Sequence, residues 1–273
     1  MTCALALALT ATHVTPVAMA QAVAGQAEYV RNQWLGKRVA FLGDSITDER
    51  HVGTTKCYWE YLTEMLGVEA YSYAVNGDRM DGLLAQAKRL LEERGQDIDA
   101  IIIFAGTNDF NASVPLGRWY DEARRDAQLP HGATESRTYR CPSMDKNTFR
   151  GRINRLMDFL KTNFPTKQVI MLTPLHRGFA QFSPENVQPE EAFPNRLGIY
   201  VDAYVQTVKE AGNVWAVPVI DLNSLSGLYP LNDAHAQYFH QKSVDRLHPN
   251  AEGHRRMALT LKYQLLSLPS SFE

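Results

Sequence analysis

The chain of 273 residues is long enough for one large domain or two small ones, and its 45% hydrophobic residues suffice for a sizeable core. Its 28 Lys and Arg residues nearly balance 30 Asp and Glu residues, which leaves a formal net charge of −2. We expect no nucleic-acid partner, because the chain has no surplus of basic residues to bind a phosphate backbone.

The first 27 residues contain no Asp, Glu, Lys or Arg. The apolar run at 4–9 and the Ala-Met-Ala sequence at 18–20 predict a signal peptide over 1–20, although the usual basic residues before the run are missing. A disordered Ala-rich leader is the alternative interpretation. The segment is too short and too polar for a membrane span, so we expect a secreted or periplasmic protein without a stable membrane anchor.

The remainder divides into a lead-in over 21–37 and one folded domain over 38–273, because no repeat or linker interrupts it. Loss of the signal peptide would leave Cys57 and Cys141, which an oxidising compartment could join. Two buried thiols are the alternative, since the sequence gives no distance between them. No Cys and His cluster has zinc-ligand spacing, so we predict no metal and no cofactor. The sequence indicates no oligomeric state.

Five short apolar runs, each ending in turn residues, predict buried parallel strands at 38–42, 69–74, 100–105, 168–172 and 215–220. Amphipathic spacing predicts helices at 58–66, 83–91, 149–160, 197–211 and 251–265, the last with Asn250 as its N-cap. This alternation is typical of an α/β protein whose parallel sheet is covered on both faces. Three long segments at 110–147, 176–195 and 222–244 read as irregular. We expect them to shape a cleft at the carboxyl ends of the strands, where such sheets bind ligands.

A serine lies at the first turn after the first predicted strand, in the sequence Gly43-Asp44-Ser45. Its hydroxyl becomes a good nucleophile only when a neighbouring base accepts its proton. Helix capping by Asp44 or Ser45 is the alternative for this turn taken alone.

Near the other end of the chain, Asp245 precedes His248 by three residues in a predicted turn. This spacing allows the carboxylate to accept a hydrogen bond from Nδ1 of His248, which would present Nε2 to a serine. A surface pair of Asp and His is the alternative for this motif alone. Two more turns, one with Gly77 and one with Asn108, follow strand ends and could donate hydrogen bonds to an oxyanion.

These four motifs, taken in chain order as those of Ser45, Gly77, Asn108 and Asp245-x-x-His248, resemble the blocks of the SGNH-hydrolase or GDSL-esterase family. The resemblance extends over residues 38 to about 265. The resemblance implies a three-layer α/β/α, flavodoxin-like fold with a five-stranded parallel sheet in the order 2-1-3-4-5. It assigns Ser45, Asp245 and His248 as the catalytic triad. It also assigns the N–H groups of Ser45 and Gly77 and the Asn108 side chain to the oxyanion hole, and makes 38–273 the catalytic domain.

The resemblance implies a serine esterase that forms an acyl-enzyme. Because members of the family often act on acylated glycans, we expect an acetyl ester of a carbohydrate, either a small molecule or a polysaccharide. The long segments also contain many aromatic residues that could stack on sugars or pack on the core: Phe110, Trp119, Tyr120, Phe179, Phe182, Tyr229, Tyr238 and Phe239. A lipid esterase or lysophospholipase is the second hypothesis, and a non-catalytic glycan-binding protein of the same fold is the third.

Two further histidines lie outside these motifs. His254 falls inside the last predicted helix, where a structural role is expected. His176 follows the fourth predicted strand and could equally contact substrate or pack.

Overall fold

Eleven strands and seven α-helices make up the fold in the computed structural model, which describes residues 32–273. The strands are, in chain order, β1 (Arg38–Gly43), β2 (Glu69–Ser72), β3 (Ala100–Phe104), β4 (Tyr120–Gln128), β5 (Thr134–Pro142), β6 (Gln168–Leu172), β7 (Ala180–Gln181), β8 (Val187–Gln188), β9 (Val219–Ile220), β10 (Phe239–Gln241) and β11 (Asp245–Pro249). The helices are α1 (Tyr58–Leu66), α2 (Leu83–Arg94), α3 (Thr107–Asn111), α4 (Phe149–Asn163), α5 (Val201–Trp215), α6 (Leu222–Leu225) and α7 (Ala251–Leu266). The predicted signal peptide at 1–20 lies outside the described residues.

The central sheet is parallel and has the strand order β2-β1-β3-β6-β9. Its inner strands consist of apolar residues that are buried along almost their whole length, as expected for a sheet covered on both faces. Helices α2, α4 and α5 pack on one face, and α1 and α7 pack on the other. The expected three-layer fold with strand order 2-1-3-4-5 is confirmed.

A second, antiparallel sheet has the order β10-β11-β7-β8 and was not predicted. Its strands are only two to five residues long, and three of them come from the segments at 176–195 and 222–244 that were expected to be irregular. The sequence Asp245-x-x-His248, expected in a turn, therefore lies in strand β11. Strands this short give too little alternation of apolar and polar residues to be recognised.

The segment at 110–147 was also wrongly expected to be irregular, because it contains the long antiparallel hairpin of β4 and β5. Polar residues occupy both faces of this hairpin, and most of its residues are exposed, so no apolar periodicity marks it.

Two predicted boundaries are wrong around α5. The helix begins at Val201 instead of 197, because the side chain of Asn195 accepts hydrogen bonds from the N–H groups of Leu197 and Ile199 and holds a turn there. It then continues to Trp215, so the last strand of the central sheet is only Val219–Ile220 instead of 215–220. The predicted N-cap of α7 is confirmed: the Asn250 side chain accepts from the N–H groups of Glu252 and Gly253.

The other helix and strand predictions agree with the structure apart from a few terminal residues. Among residues 32–273, no helix combines the length and apolar character that a membrane crossing requires.

Candidate active site

Ser45 lies at the carboxyl end of β1, which lies between β2 and β3 in the central sheet. Gly43 ends this strand beside β3, where a Cβ atom would come within 2.8 Å of the backbone oxygen of Phe104. Only glycine fits this close approach of two backbones. The turn that follows closes through the backbone N–H of Thr47, which donates to the Asp44 carbonyl. Ser45 does not cap a helix, because the next helix begins only at Tyr58.

The structure brings Ser45, His248 and Asp245 into one chain of hydrogen bonds. Ser45 Oγ lies 2.9 Å from His248 Nε2, and His248 Nδ1 lies 2.9 Å from Asp245 Oδ2. All three side chains are buried to at least 95%. This geometry allows the imidazole to accept the serine proton while the carboxylate fixes its orientation and stabilises the imidazolium.

The Asp245 carboxylate is held by several donors. Its Oδ1 accepts hydrogen bonds from the backbone N–H groups of Leu247 and His248, both at 3.1 Å. Its Oδ2 also lies 3.1 Å from Nδ1 of His240, a half-exposed residue that no sequence motif marks. Burial by itself raises the pKa of Asp245, but the hydrogen bonds and the attraction of His248 outweigh it and hold the pKa below its usual value. Asp245 is therefore ionised at neutral pH.

The groups assigned to an oxyanion hole lie in three neighbouring turns. Within residues 32–273, the backbone N–H groups of Ser45 and Gly77 donate to no protein acceptor. The amide of Asn108 donates one hydrogen to the carbonyl oxygen of Asp78 at 2.9 Å, which orients the side chain and leaves its second N–H available. Free donors of this kind can bind an oxyanion.

Buried side chains that sequence reasoning missed tie these turns together. The Asp48 carboxylate accepts from the Asn76 N–H at 2.6 Å, next to Gly77. The Asp109 carboxylate accepts from the Met80 N–H and from the Arg152 guanidinium, both at 2.8 Å. These bonds fix the distances between the turns of Ser45, Gly77 and Asn108.

Gln86 makes a further connection from helix α2. Its Oε1 accepts from the Gly43 N–H at 2.9 Å, and its Nε2 donates to the Gly43 carbonyl and the Asp78 carboxylate, both at 2.8 Å. A signal for it existed in the sequence, because this polar residue lies on the apolar stripe of a helix between Leu83 and Leu90.

Two buried carboxyls near the turns have strongly raised pKa values. Burial raises the pKa of Asp44 to about 7, and the hydrogen bond from the Ile46 N–H offsets this only in part. Burial raises the pKa of Asp109 to about 6 despite its contact with Arg152. Neither carboxyl touches the Ser45 hydroxyl through a hydrogen bond, so both serve the turns and not the proton transfer.

Comparison with known families agrees with this geometry. The profile of the GDSL-like Lipase/Acylhydrolase family matches residues 41–256. The chain belongs to this family. The expected family is thereby confirmed, and the protein is an SGNH serine hydrolase that acts on ester bonds.

Solved structures resemble the hydrolase over 85% of its chain. A protein from Lactobacillus plantarum shares 27% identity, with 98% of its own chain covered and a TM-score of 0.66. A protein described as a possible lipase from Chitinophaga pinensis shares 20% identity, with 99% covered and a TM-score of 0.62. The salicylyl-acyltransferase SsfX3 from a tetracycline biosynthetic pathway shares 14%, with 55% covered and a TM-score of 0.57. The comparison with curated proteins found no match.

In the hydrolase, His248 is enclosed by two segments that sequence reasoning did not connect with it. Phe182, in the turn between β7 and β8, is half-exposed and its ring lies edge-on to His248, with 5.4 Å between centroids. On another side, a Cβ atom at Gly53 would lie 2.7 Å from the Cβ of His248. The loop that contains Gly53 thus packs directly against the base.

The other two histidines singled out in the hydrolase differ in role. His254 is buried in α7, accepts the Tyr58 N–H through Nδ1 at 3.1 Å and stacks on the Tyr58 ring. Burial, together with the nearby His248 and His51, lowers its pKa to about 3, so it is neutral and structural, as expected. His176 is paired with Glu191 at 2.7 Å, a hydrogen bond that raises the pKa of His176, and its ring contacts Tyr229 edge-on.

Cys57 and Cys141 of the hydrolase are both free thiols in the structure. Cys57 lies near His51 and Glu60, and one potential ligand atom from each residue falls within a 4.8 Å cluster. These groups are already satisfied, because Glu60 accepts from the Cys57 N–H and pairs with His51, both at 2.7 Å. Burial also raises the pKa of the Cys57 thiol to about 12, which keeps it protonated. The cluster serves as the N-terminal cap of α1.

A cavity of about 350 Å³ lies between helix α3 and the β7–β8 hairpin of the hydrolase. We call it the α3 cavity. The residues that line it are Phe110, Asn111, Ser113, Glu185, Asn186, Val187, Pro189, Phe193, Pro194, Asn195 and Arg196. Six of its eleven lining residues are polar or charged, and its volume falls within the range of small-molecule sites, about 300–1,000 Å³.

Five of the eight aromatic residues singled out in the long segments fall into two groups. Phe110 and Phe239 are buried in the two core clusters, and Trp119 packs against one of them. Phe182 is exposed beside His248, and Tyr229 is exposed beside His176. Core packing therefore accounts for the first group and leaves the second group available for a ligand.

Proposed function

We propose that this hydrolase cleaves an acetyl ester of a carbohydrate through Ser45, His248 and Asp245. The observation that supports this most strongly is the hydrogen-bonded chain from Ser45 Oγ through the His248 ring to the Asp245 carboxylate, with 2.9 Å at both links. No other described serine forms a hydrogen bond with a histidine.

In the proposed mechanism, Ser45 Oγ attacks the ester carbonyl while His248 Nε2 accepts the serine proton. The N–H groups of Ser45 and Gly77 and the Asn108 amide bind the oxyanion. His248 then returns the proton to the alcohol, which leaves, and Ser45 carries the acetyl group. Water attacks this acyl-enzyme by the same route, with His248 as base, and releases acetate and free Ser45.

The polar α3 cavity and the exposed ring of Phe182 support a carbohydrate, since sugars bind through hydrogen bonds and aromatic stacking. A lipid esterase or lysophospholipase is the second candidate. The exposed apolar side chains of Phe182, Val187 and Phe193, which lie beside His248 or line the cavity, favour it. A third candidate is a protein that binds glycans without turnover.

A fluorophosphonate probe and a series of nitrophenyl esters test the proposal. We expect the probe to label Ser45 and the Ser45→Ala variant to lose label and at least about 10⁴-fold in kcat. Preference for acetyl over octanoyl esters supports the carbohydrate substrate, and the reverse supports a lipid. Turnover that persists unchanged in Ser45→Ala would overturn the triad, and absence of turnover in the unmodified protein would favour the binding protein.

We further propose that the protein is exported, on the basis of the sequence at 1–20. N-terminal sequencing of the protein from the medium or periplasm of its producing cells tests this proposal. We expect the mature chain to begin at residue 21. A cytoplasmic chain that retains its first residues would contradict it.

A further inference from the structure

We propose that the α3 cavity is a sugar-binding subsite that holds the alcohol part of the ester. This inference rests on the proposed esterase function and extends it to a set of residues outside the triad and the oxyanion donors.

One wall of the cavity begins close to the assigned oxyanion donor. Asn108 and Asn111 lie three positions apart in helix α3, so their Cβ atoms are neighbours on the helix surface, about 5–6 Å apart. Ser113, which follows the helix, extends the same wall. A substrate whose carbonyl is bound by Asn108 would therefore meet Asn111 with the adjoining part of its structure.

The opposite wall begins close to the base. The Phe182 N–H donates to the Asn186 carbonyl at 3.0 Å, so the two residues face each other across the β7–β8 hairpin. Phe182 contacts the His248 ring, and Asn186 lines the cavity. One wall of the cavity is thus in the helix of an assigned oxyanion donor, and the other is in the hairpin that contacts the base proposed to protonate the leaving alcohol. An acetyl group has only two carbons, so a cavity of this volume is suited to the alcohol and not to the acyl group.

Several polar groups of the cavity have capacity for a ligand. Among residues 32–273, no side-chain hydrogen bond engages Asn111 or Arg196, and the amide nitrogen of Asn186 has no acceptor. Ser113 Oγ accepts the Arg196 backbone N–H at 3.1 Å, which leaves its hydroxyl hydrogen free to donate. Amides and hydroxyls both donate and accept, as sugar hydroxyls require.

The remaining lining residues indicate which sugars fit. Glu185 and Arg196 contribute opposite charges, so the cavity has no net charge and favours a neutral sugar over a uronic acid. Phe193 is 58% exposed and supplies an aromatic face of the kind on which sugar rings stack. By contrast, a fatty acyl chain would leave the amides of Asn111 and Asn186 without partners.

The test compares esters with and without a sugar. The substrates are p-nitrophenyl acetate, p-nitrophenyl octanoate and a panel of acetylated xylose, glucose, mannose and galactose oligosaccharides. In the double variant Asn111→Ala/Asn186→Ala, we expect kcat/KM for the best acetylated sugar to fall about tenfold more than for p-nitrophenyl acetate, mainly through KM. The matched control is Asn213→Ala, an exposed asparagine of α5, for which both substrates should respond equally.

A binding measurement separates this inference from the esterase proposal. The Ser45→Ala variant is titrated with the deacetylated form of the same oligosaccharide, and its affinity should fall about tenfold when Asn111→Ala/Asn186→Ala is added. Equal losses on all substrates, a loss confined to the octanoate ester, or failure of every acetylated sugar to be hydrolysed would overturn the subsite. If Ser45→Ala retains turnover but the titration shows the expected loss, the proposed role of Ser45 fails and the sugar subsite stands.

Discussion

The central parallel sheet carries Ser45, Gly77 and Asn108, whereas the small antiparallel sheet carries Asp245 and His248. Ser45 and Asn108 follow the buried strands β1 and β3, and Gly77 follows the partly exposed edge strand β2. Asp48, Gln86 and Asp109 tie their turns together. The strands of the second sheet have two to five residues and few register pairs. The proposed nucleophile and oxyanion donors thus depend on the central sheet and its core, while the proposed base depends on local contacts.

We therefore expect the two halves of the site to respond differently to mutation. Substitutions around the base should change its position without unfolding the protein, because the small sheet contributes little to either core cluster. Substitutions at the turns of the central sheet should remove a hydrogen-bond donor without moving the turn, because the hydrogen bonds of Asp48, Gln86 and Asp109 hold the turn in place. The following changes test the two halves in order of expected effect.

Asp245→Asn should have the largest effect of these. The change removes the charge that stabilises the imidazolium and allows the wrong tautomer of His248, so we expect kcat to fall by about 10³–10⁴-fold. Steady-state kinetics with p-nitrophenyl acetate measure the loss, and the thermal unfolding midpoint reports on the fold. Asp126→Asn, on the exposed β4–β5 hairpin, is the control. A loss of less than about tenfold would mean that Asp245 does not support the base.

Asn108→Ala should have a smaller effect, on the other half of the site. Loss of one oxyanion donor costs about 10²–10³-fold in kcat, with little change in KM, because the donor acts mainly in the transition state. The change also removes a hydrogen bond to the Asp78 carbonyl, so the unfolding free energy should be measured in parallel. A proportional rise in KM with unchanged kcat would show that Asn108 binds substrate and not the oxyanion.

Sequence patterns predicted the central half of the site well, for physical reasons. The strands before Ser45 and Asn108 are continuous apolar runs, and the turns after them carry the glycines and asparagine by which the blocks are recognised. Helix spacing was equally clear at 58–66 and 251–265. The buried hydrogen bonds were missed because they join residues far apart in the chain. Gln86, for example, is 43 positions from Gly43.

For the half of the site that carries Asp245 and His248, the sequence predicted the residues but not the antiparallel sheet in which they lie. The motif of Asp245 and His248 was recognised by its spacing, but its place in a strand was not, since β7, β8 and β10 are too short to show a period. The contacts of Phe182, His240 and Gly53 with this pair depend on tertiary packing alone. No local pattern marks them.

Gly53→Ala should disturb the base through packing. Gly53 has φ of +75°, and its new Cβ would lie 2.7 Å from the Cβ of His248, so either the loop or His248 must shift. Since a displacement of about 1 Å can cost up to about 10²-fold in rate, we expect kcat to fall at least about tenfold. Gly132→Ala, with φ of +77° and no atom within 4 Å, imposes the same backbone strain without that contact. Equal activity of the two variants would contradict the packing of this loop on the base.

His254→Asn should change the pH dependence of stability and not the chemistry. The Asn side chain can still accept the Tyr58 N–H, but it does not titrate. Because the pKa of His254 is lowered to about 3 by burial, the unfolded chain binds the extra proton below about pH 6.5 and the folded protein does not. The stability that neutral His254 contributes is therefore complete above about pH 6.5 and is lost as the pH falls, by about 1.4 kcal/mol per pH unit.

Asp44 and Asp109 act in the opposite direction, since their raised pKa values favour the folded state as the pH falls from about 7 toward 4. Comparison of the two proteins cancels these carboxyls. From pH 7 to pH 5, the difference in unfolding free energy between wild type and His254→Asn should shift by about 2 kcal/mol in favour of the variant, as urea unfolding would measure. The exposed His131→Asn is the control, because it makes the same substitution outside the core. A difference that is constant with pH would mean that His254 is protonated in the folded protein, which would remove the neutral acceptor that joins α7 to the start of α1.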